Sequence, residues 1–372
     1  MEILYVFPEP FPISMARGVQ VAHFICALAS HGVTVYFAYV PAGDAIDPFS
    51  SYGLKKPDTV KLIPLSRSLY TMQSNRLFFW RLKRWLKNVS KMPECVIVRH
   101  IKLAYFLLCG FPRLPLVYEA HEVFADVAPE DKRAKLHKME KMVLQKASII
   151  TAISLSTVKK LKERYLTGRD VFVLPSGVNV PDLLAEKPWT EAHRNIIYTG
   201  SLFDWKGVHD LVEAGQWLSG FKITIIGGEP HQIEKLREHV HPGGAEIVFL
   251  GHLPHQETIA ALNGSCIAIL PNRNISTSAF TSPLKLFEYM ASGCAIVASD
   301  IPPLREILED DDTTWFEPGN PHSLADAIKK LASASETAKQ NGDKLRRKAY
   351  DYTWESRARK QIDLIKEKIL HD

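Results

Sequence analysis

The chain has 372 residues, 46% apolar and 23% charged, with a formal net charge of +5. Those proportions exclude a disordered chain, and the length predicts two domains. No apolar run reaches the roughly 18–20 residues that span a bilayer, and the N-terminus lacks a basic-then-apolar leader, so a cytoplasmic protein is expected. Five scattered cysteines without a CxxC pair predict reduced, buried thiols rather than a disulfide framework or zinc site.

Short β-branched runs alternate with helical patterns, the rhythm of βαβ units on parallel sheets. Strands are predicted at Ile3–Phe7, Val33–Tyr39, Val60–Pro64, Cys95–Arg99, Leu116–Glu119, Ser148–Ala152 and Val171–Leu174, with helices over 18–30, 74–90, 101–109, 130–147 and 155–165 between them. The turn-rich Pro175-Ser176-Gly177-Val178-Asn179-Val180-Pro181 breaks the rhythm. It restarts with strands at Asn195–Tyr198, Lys222–Ile226, Glu246–Leu250, Ile267–Leu270 and Ala295–Ala298 and helices over 206–217, 230–239, 255–263 and 282–292. From Ser323 to Leu370 the pattern is helical, interrupted near Tyr352–Trp354. Residues 1–190 carry 26 Lys and Arg against 16 Asp and Glu, whereas 191–372 carry 20 against 25. A basic front half and an acidic back half predict domains with different partners.

Ligands of open parallel sheets bind beyond the carboxyl ends of the strands, so motifs there carry the functional argument. In Thr281-Ser282-Pro283-Leu284-Lys285-Leu286-Phe287-Glu288, Ser282 suits an N-cap, Pro283 a first helical residue, and Gly293 a left-handed end. Such a helix start points N–H groups and partial positive charge at an anion. Lys285 in the first turn and Glu288 three residues on share a face, so phosphates on Lys285 and ribose hydroxyls on Glu288 would suit a nucleoside diphosphate. A capped surface helix with a solvated Lys–Glu pair is the competing reading. Upstream, Gly200, Ser201, Lys206 and Gly207 sit between a strand and a helix, and Gly227-Gly228 ends another strand. Neither loop is GxxxxGK[ST] or GxGxxG, which disfavours a P-loop ATPase and a conventional NAD domain. In the front half, Glu119 and His121 lie just past a strand end, where His121 could hydrogen-bond a sugar hydroxyl or accept a proton. Gly18 would let the first helix approach a ligand cleft.

This combination resembles the retaining glycosyltransferases of the GT-B fold, glycosyltransferase family 4. The strongest piece is Ser282–Gly293 followed by Ala295-Ile296-Val297-Ala298-Ser299-Asp300, supported by Gly200…Lys206-Gly207, Leu174–Asn179, Glu119…His121 and Trp354. The resemblance implies two Rossmann-like doubly wound domains facing a cleft: 1–185 with 356–372 for the acceptor, and 186–355 for the nucleotide sugar. A last helix would cross back to the first domain. It also implies that Glu288 holds the ribose, Lys206 the diphosphate and His121 the donor sugar, with retention of configuration. Two positions depart from the pattern. Phe280 stands where a sugar-contacting Glu is common, and Ser201 where a basic residue often follows the glycine. Lys285, with Arg273 as a further helper, and backbone of Thr277–Ser282 would compensate.

Fixed positive charge from Lys206, Lys285 and the helix start would stabilise the departing diphosphate without a metal. Asp310 and Asp312 match a DxD literally, but Glu309–Asp312 reads as a solvated loop. The expected donor is a UDP- or GDP-hexose, with no cofactor. Residues 76–87 form an amphipathic helix with Phe78, Phe79, Leu82, Trp85 and Leu86 on one face. Arg76, Lys83, Arg84, Lys87 and Trp80 stand opposite, a pattern suited to an anionic membrane surface. A lipid-linked or cell-surface polysaccharide acceptor follows. A non-catalytic nucleotide- or sugar-binding protein and a nucleotide-sugar epimerase are the alternatives. Nucleic acid is not expected, because the basic residues carry no recognised reading motif.

Overall fold

A computed structural model describes the chain except for residues 14, 44–46, 70–71, 167, 182–186, 188, 190–192, 276–283 and 371–372. The chain divides into two compact units, Met1–Gly177 with Trp354–Asp372 and Val178–Thr353. The sequence junctions at 185 and 355 fall near these breaks.

The first unit is built on a seven-stranded parallel sheet. Its spatial order is Val60–Pro64, Thr34–Pro41, Glu2–Phe11, Cys95–Val98, Leu116–Ala120, Ile149–Ala152 and Phe172–Val173. The chain starts in the middle, winds outward, and returns to wind the other way, so strand order reverses between Glu2–Phe11 and Cys95–Val98. Cys95–Val98 is buried along its whole length, as a strand covered by helices on both faces must be. The final helix, Trp354–Ile365, returns to this unit and packs on the Ala16–Ser30 helix, with Trp354 stacked on His23 at 5.8 Å. That return is the crossing-back helix expected from the sequence.

The second unit repeats the plan with six parallel strands. They run Glu246–Gly251, Lys222–Ile226, Asn195–Thr199, Ile267–Leu270, Ala295–Ser299 and Thr313–Phe316. The last is an addition to the sequence reading: it is four residues long and directly follows an acidic run, so it shows no period of its own. Apolar residues from both faces of the sheet form two cores, one around Ile196, Ile223, Leu211 and Ile328, the other around Ile197, Phe287, Met290 and Leu345. The helix predicted over 206–217 is shorter, Val208–Ala214, because a 3-10 turn precedes it and a second one from Gly215 follows it. The cysteines are all unpaired, but Cys109 is exposed and Cys26 half-buried, which corrects the expectation that all five are interior.

Candidate functional site

In the second unit, strand order reverses between Asn195–Thr199 and Ile267–Leu270, and Gly200 stands at the carboxyl end of the first of these. Its φ of 137° places it where only glycine is comfortable, and its N–H donates to the Ile226 carbonyl at 2.7 Å. A Cβ on Gly200 would lie 1.0 Å from Lys285 Nζ, so the absent side chain is the space the ammonium occupies. Gly227 (φ 112°) closes the other side: a Cβ there would fall 2.2 Å from the Gly200 carbonyl oxygen, and its N–H donates to the Gly251 carbonyl at 2.6 Å. Three strand ends thereby meet backbone against backbone with a lysine laid across them. Ser201 turns back, its carbonyl accepting from the Tyr198 hydroxyl at 2.8 Å, and Gly228 packs on Leu202.

The helix that carries Lys285, Leu284–Ala291, buries Leu286, Phe287, Tyr289 and Met290 and leaves Leu284, Lys285 and Glu288 half-buried. Its orientation is set by Tyr289, whose hydroxyl accepts from the Thr199 backbone N–H at 2.9 Å. Gly293 (φ 64°) ends it in the left-handed conformation expected. Lys285 Nζ donates to the Tyr198 hydroxyl at 3.4 Å and lies 4.8 Å from that ring. Burial, then the neighbouring Lys206, hold its pKa well below that of an ordinary lysine, while Glu288 pulls the other way. Lys206 closes the Asp204–Lys206 turn with its ammonium 3.8 Å from the Trp205 ring, and burial lowers its pKa to about 8. Glu288, 12% exposed, is pushed up to about 7 by burial against the pull of Lys285. Burial thus disfavours the charge of both ammonium groups, and Lys206 adds to the effect on Lys285.

In the first unit, His121 follows the Leu116–Ala120 strand. It lines a recess with Tyr5, Gln20, Arg99, Ser176 and Arg357 that holds about 10 Å³, room for roughly one water. Burial, then the positive fields of Arg99 and Arg357, drive its pKa well below the usual histidine value. The imidazole is therefore neutral at pH 7, suited to hydrogen-bonding a hydroxyl. Glu119 does a different job: it is 2% exposed, accepts from the Tyr5 hydroxyl at 2.9 Å and from Arg357 at 2.8 Å, and so ties the final helix to the sheet. Gly18 lies in the first helical turn, where a Cβ would fall 2.4 Å from the Ile13 carbonyl oxygen and from the Tyr52 hydroxyl.

Both halves of the chain match glycosyltransferase models. Residues 18–181 match the model described as Glycosyltransferase Family 4, and residues 193–334 match Glycosyl transferases group 1. The chain is a glycosyltransferase. It is 25% identical over 298 residues to glycogen synthase of Mycobacterium tuberculosis, covering 74% of this chain and 69% of that one. It is 27% identical over 195 residues to the phosphatidyl-myo-inositol mannosyltransferase of Mycobacterium leprae, covering 48% and 49%. Among solved structures, HepE of Anabaena in complex with UDP-glucose superposes with a TM-score of 0.74 at 14% identity, over 99% of this chain and 100% of that one, a likeness of GT-B fold.

Within this glycosyltransferase, the structure groups Gly200, Ser201, Lys206, Gly228, Lys285 and Glu288 around the carboxyl ends of the central strands of the second unit and places His121 in the first. Arg273 lies against the loop that carries Lys206, its backbone N–H donating to the Trp205 carbonyl at 3.0 Å, and its guanidinium makes two hydrogen bonds with the buried Asp210, at 2.9 and 2.5 Å. Thr281, Ser282 and Pro283, together with Phe280, lie outside the described residues. Glu309–Asp312 is not a uniformly solvated loop. Asp312 is fully buried and accepts from the Glu309 N–H, the Thr313 hydroxyl and Lys348, while Asp310 pairs with Arg305. Sequence reasoning missed His255, whose Nδ1 lies 4.0 Å from Glu288 Oε1, and Arg99, which donates to Gln20 at 3.3 Å. Neither belongs to a local motif; each reaches its site only through sheet order.

The Asn75–Asn88 helix begins at Ser74, whose hydroxyl accepts from the Arg76 N–H, and buries Phe78, Leu82 and Leu86. Trp80 is 55% exposed with the Arg84 guanidinium 5.9 Å from its ring, and Lys83, Arg84 and Lys87 are exposed around it. No helix among the described residues is long and apolar enough to cross a membrane.

Proposed function

We propose that this glycosyltransferase moves a hexosyl unit, with retention of configuration and without a metal, from a UDP- or GDP-sugar to a lipid-linked or cell-surface polysaccharide acceptor. The observation that carries the donor reading is the pair Lys206 and Lys285. Both have depressed pKa values, and Lys285 lies across the backbone of Gly200 at the strand ends. A diphosphate bound there restores the charge of both ammonium groups. The restored charge then opposes the negative charge that grows on the leaving group as the glycosidic bond breaks. Glu288, one helical turn from Lys285, accepts from the ribose hydroxyls in its carboxylate form, which the charge of Lys285 favours. Neutral His121 supplies a hydrogen bond to a sugar hydroxyl. Attack from the face the diphosphate leaves gives retention, since the departing oxygens can take the acceptor's proton.

Support for the acceptor reading is the exposed Trp80 among basic side chains, which suits an anionic headgroup layer on the cytoplasmic face of a membrane. The mannosyltransferase and glycogen synthase relatives, by their names, act on a phosphatidylinositol and a glucan. A thermal-shift panel of nucleoside diphosphates and their sugars identifies the donor, because a ligand of the folded state raises its stability. Against the best of these, Glu288→Ala weakens binding by roughly 1.5–3 kcal/mol in calorimetry. Unchanged affinity removes the ribose assignment. Transfer lost in a chelator and restored by magnesium removes metal independence.

A further inference from the structure

The Val208–Ala214 helix carries His209 and Glu213 one turn apart on the same face, with His209 Nδ1 3.8 Å from Glu213 Oε1. His239, just past the Pro230–Arg237 helix, brings its ring edge-on to that of His209, centroids 4.3 Å apart at 67°. One donor atom from each of the three lies within 4.8 Å of the others. The second group at such spacing, Glu309, Asp311 and Asp312, is already neutralised: Lys344 sits 2.6 Å from Asp311 and Lys348 2.8 Å from Glu309. No ammonium ion-pairs in this way with the His–Glu–His group among the described residues.

Two imidazoles and a carboxylate suit zinc and its neighbours in the first transition row and disfavour magnesium or calcium, which take all-oxygen sets. Tetrahedral zinc with bonds of about 2.0–2.1 Å holds its ligand atoms roughly 3.4 Å apart, so closure asks for at most about 1.4 Å of contraction between any pair. His209 and Glu213 are half-buried and His239 is exposed, so side-chain rotation supplies it. We propose that His209, Glu213 and His239 form a three-ligand site for a divalent transition-metal ion of the zinc class, with its fourth position open to water. The ion ties the Val208–Ala214 helix to the end of the Pro230–Arg237 helix. Because Lys206 and Gly207 lead directly into the first of these, it also steadies the loop that presents Lys206. The site stands on its own geometry, and its ion takes no part in the bond-breaking step proposed above.

The test uses the full, untagged chain stripped with chelator and titrated with zinc chloride by calorimetry, with cobalt(II) as a visible-absorption probe. The expected result is one equivalent of zinc bound, a rise in Tm, intense visible cobalt bands typical of four-coordination, and no response to magnesium. His209→Ala and His239→Ala each lower zinc affinity by about tenfold or more and abolish the cobalt bands, and Glu213→Gln weakens both. His31→Ala, in the other unit, changes neither. Zinc uptake that is absent at millimolar concentration, or unchanged in both histidine variants, overturns the proposal, as does an equal response to magnesium. If an alanine variant fails to fold, Glu213→Gln and the wild-type cobalt spectrum still decide.

Discussion

Lys206 offers the most direct measurement of whether the second-unit site is built for a diphosphate. Its pKa is lowered to about 8 by burial, so at about pH 8.5 roughly three-quarters of molecules lack that proton. A bound diphosphate, fully ionised at this pH, draws the ammonium back toward its ordinary pKa of 10.5. Binding therefore takes up about 0.7 proton at Lys206, and more in total because Lys285, also depressed, regains charge at the same time. The full 2.5-unit return corresponds to roughly 3 kcal/mol of coupling, an upper bound at about 1.4 kcal/mol per unit. Calorimetry with the nucleoside diphosphate in Bicine and in Tris, neither of which competes as a phosphate, reads this directly. The observed heat differs between buffers by the proton uptake times the difference in their ionisation heats. Affinity also falls as pH rises through about 8, because the group that must be charged is losing its proton. In Lys206→Met the uptake drops by more than the share of Lys206, since the positive neighbour that depresses Lys285 is gone. Buffer-independent heats in the unaltered protein would falsify the phosphate assignment.

Gly200→Ala drives a methyl into the space of the Lys285 ammonium at a φ of 137°; we expect a loss of about 1–3 kcal/mol in stability together with weakened nucleotide binding, read by urea unfolding and calorimetry. Retained affinity would show that Lys285 does not need that position. Arg357→Ala strands the buried Glu119 carboxylate and is expected to cost about 3–5 kcal/mol in urea unfolding, whereas Arg357→Met with Glu119→Leu recovers most of it. A single-variant loss under about 1 kcal/mol would contradict the role of that pair. Trp80→Ser reduces sedimentation with anionic liposomes at low salt without changing nucleotide affinity; equal recovery of the unaltered protein with neutral and anionic vesicles counts against a membrane face.

What the residues alone determine here is largely local. The β-branched runs that end in Gly200 and Gly227 become strands because a strand covered on both faces needs continuous apolar sequence, and the glycines mark where backbone must meet backbone. Gly293 ends its helix in the left-handed region because only glycine does so without strain. Ser74 and the alternating faces of 75–88 are equally readable, since capping and helical period are properties of neighbours in sequence. The Thr313–Phe316 strand is not, because four residues in an edge position carry too little pattern, and the adjoining acidic run hides that Asp312 is interior.

Tertiary structure alone decides which local signals become a site. Strand order in the second sheet brings Gly200 beneath Lys285, and a lysine that looks like half of a surface ion pair becomes a desolvated ammonium with a shifted pKa. The same folding makes Glu119, which the sequence shows only as a neighbour of His121, the anchor of Arg357, pairs Arg273 with Asp210, and carries His255 to Glu288. Charge and polarity are written in the sequence, but solvation is not. Only the packed chain sets how much water each group loses, and that loss separates a binding group from a structural one.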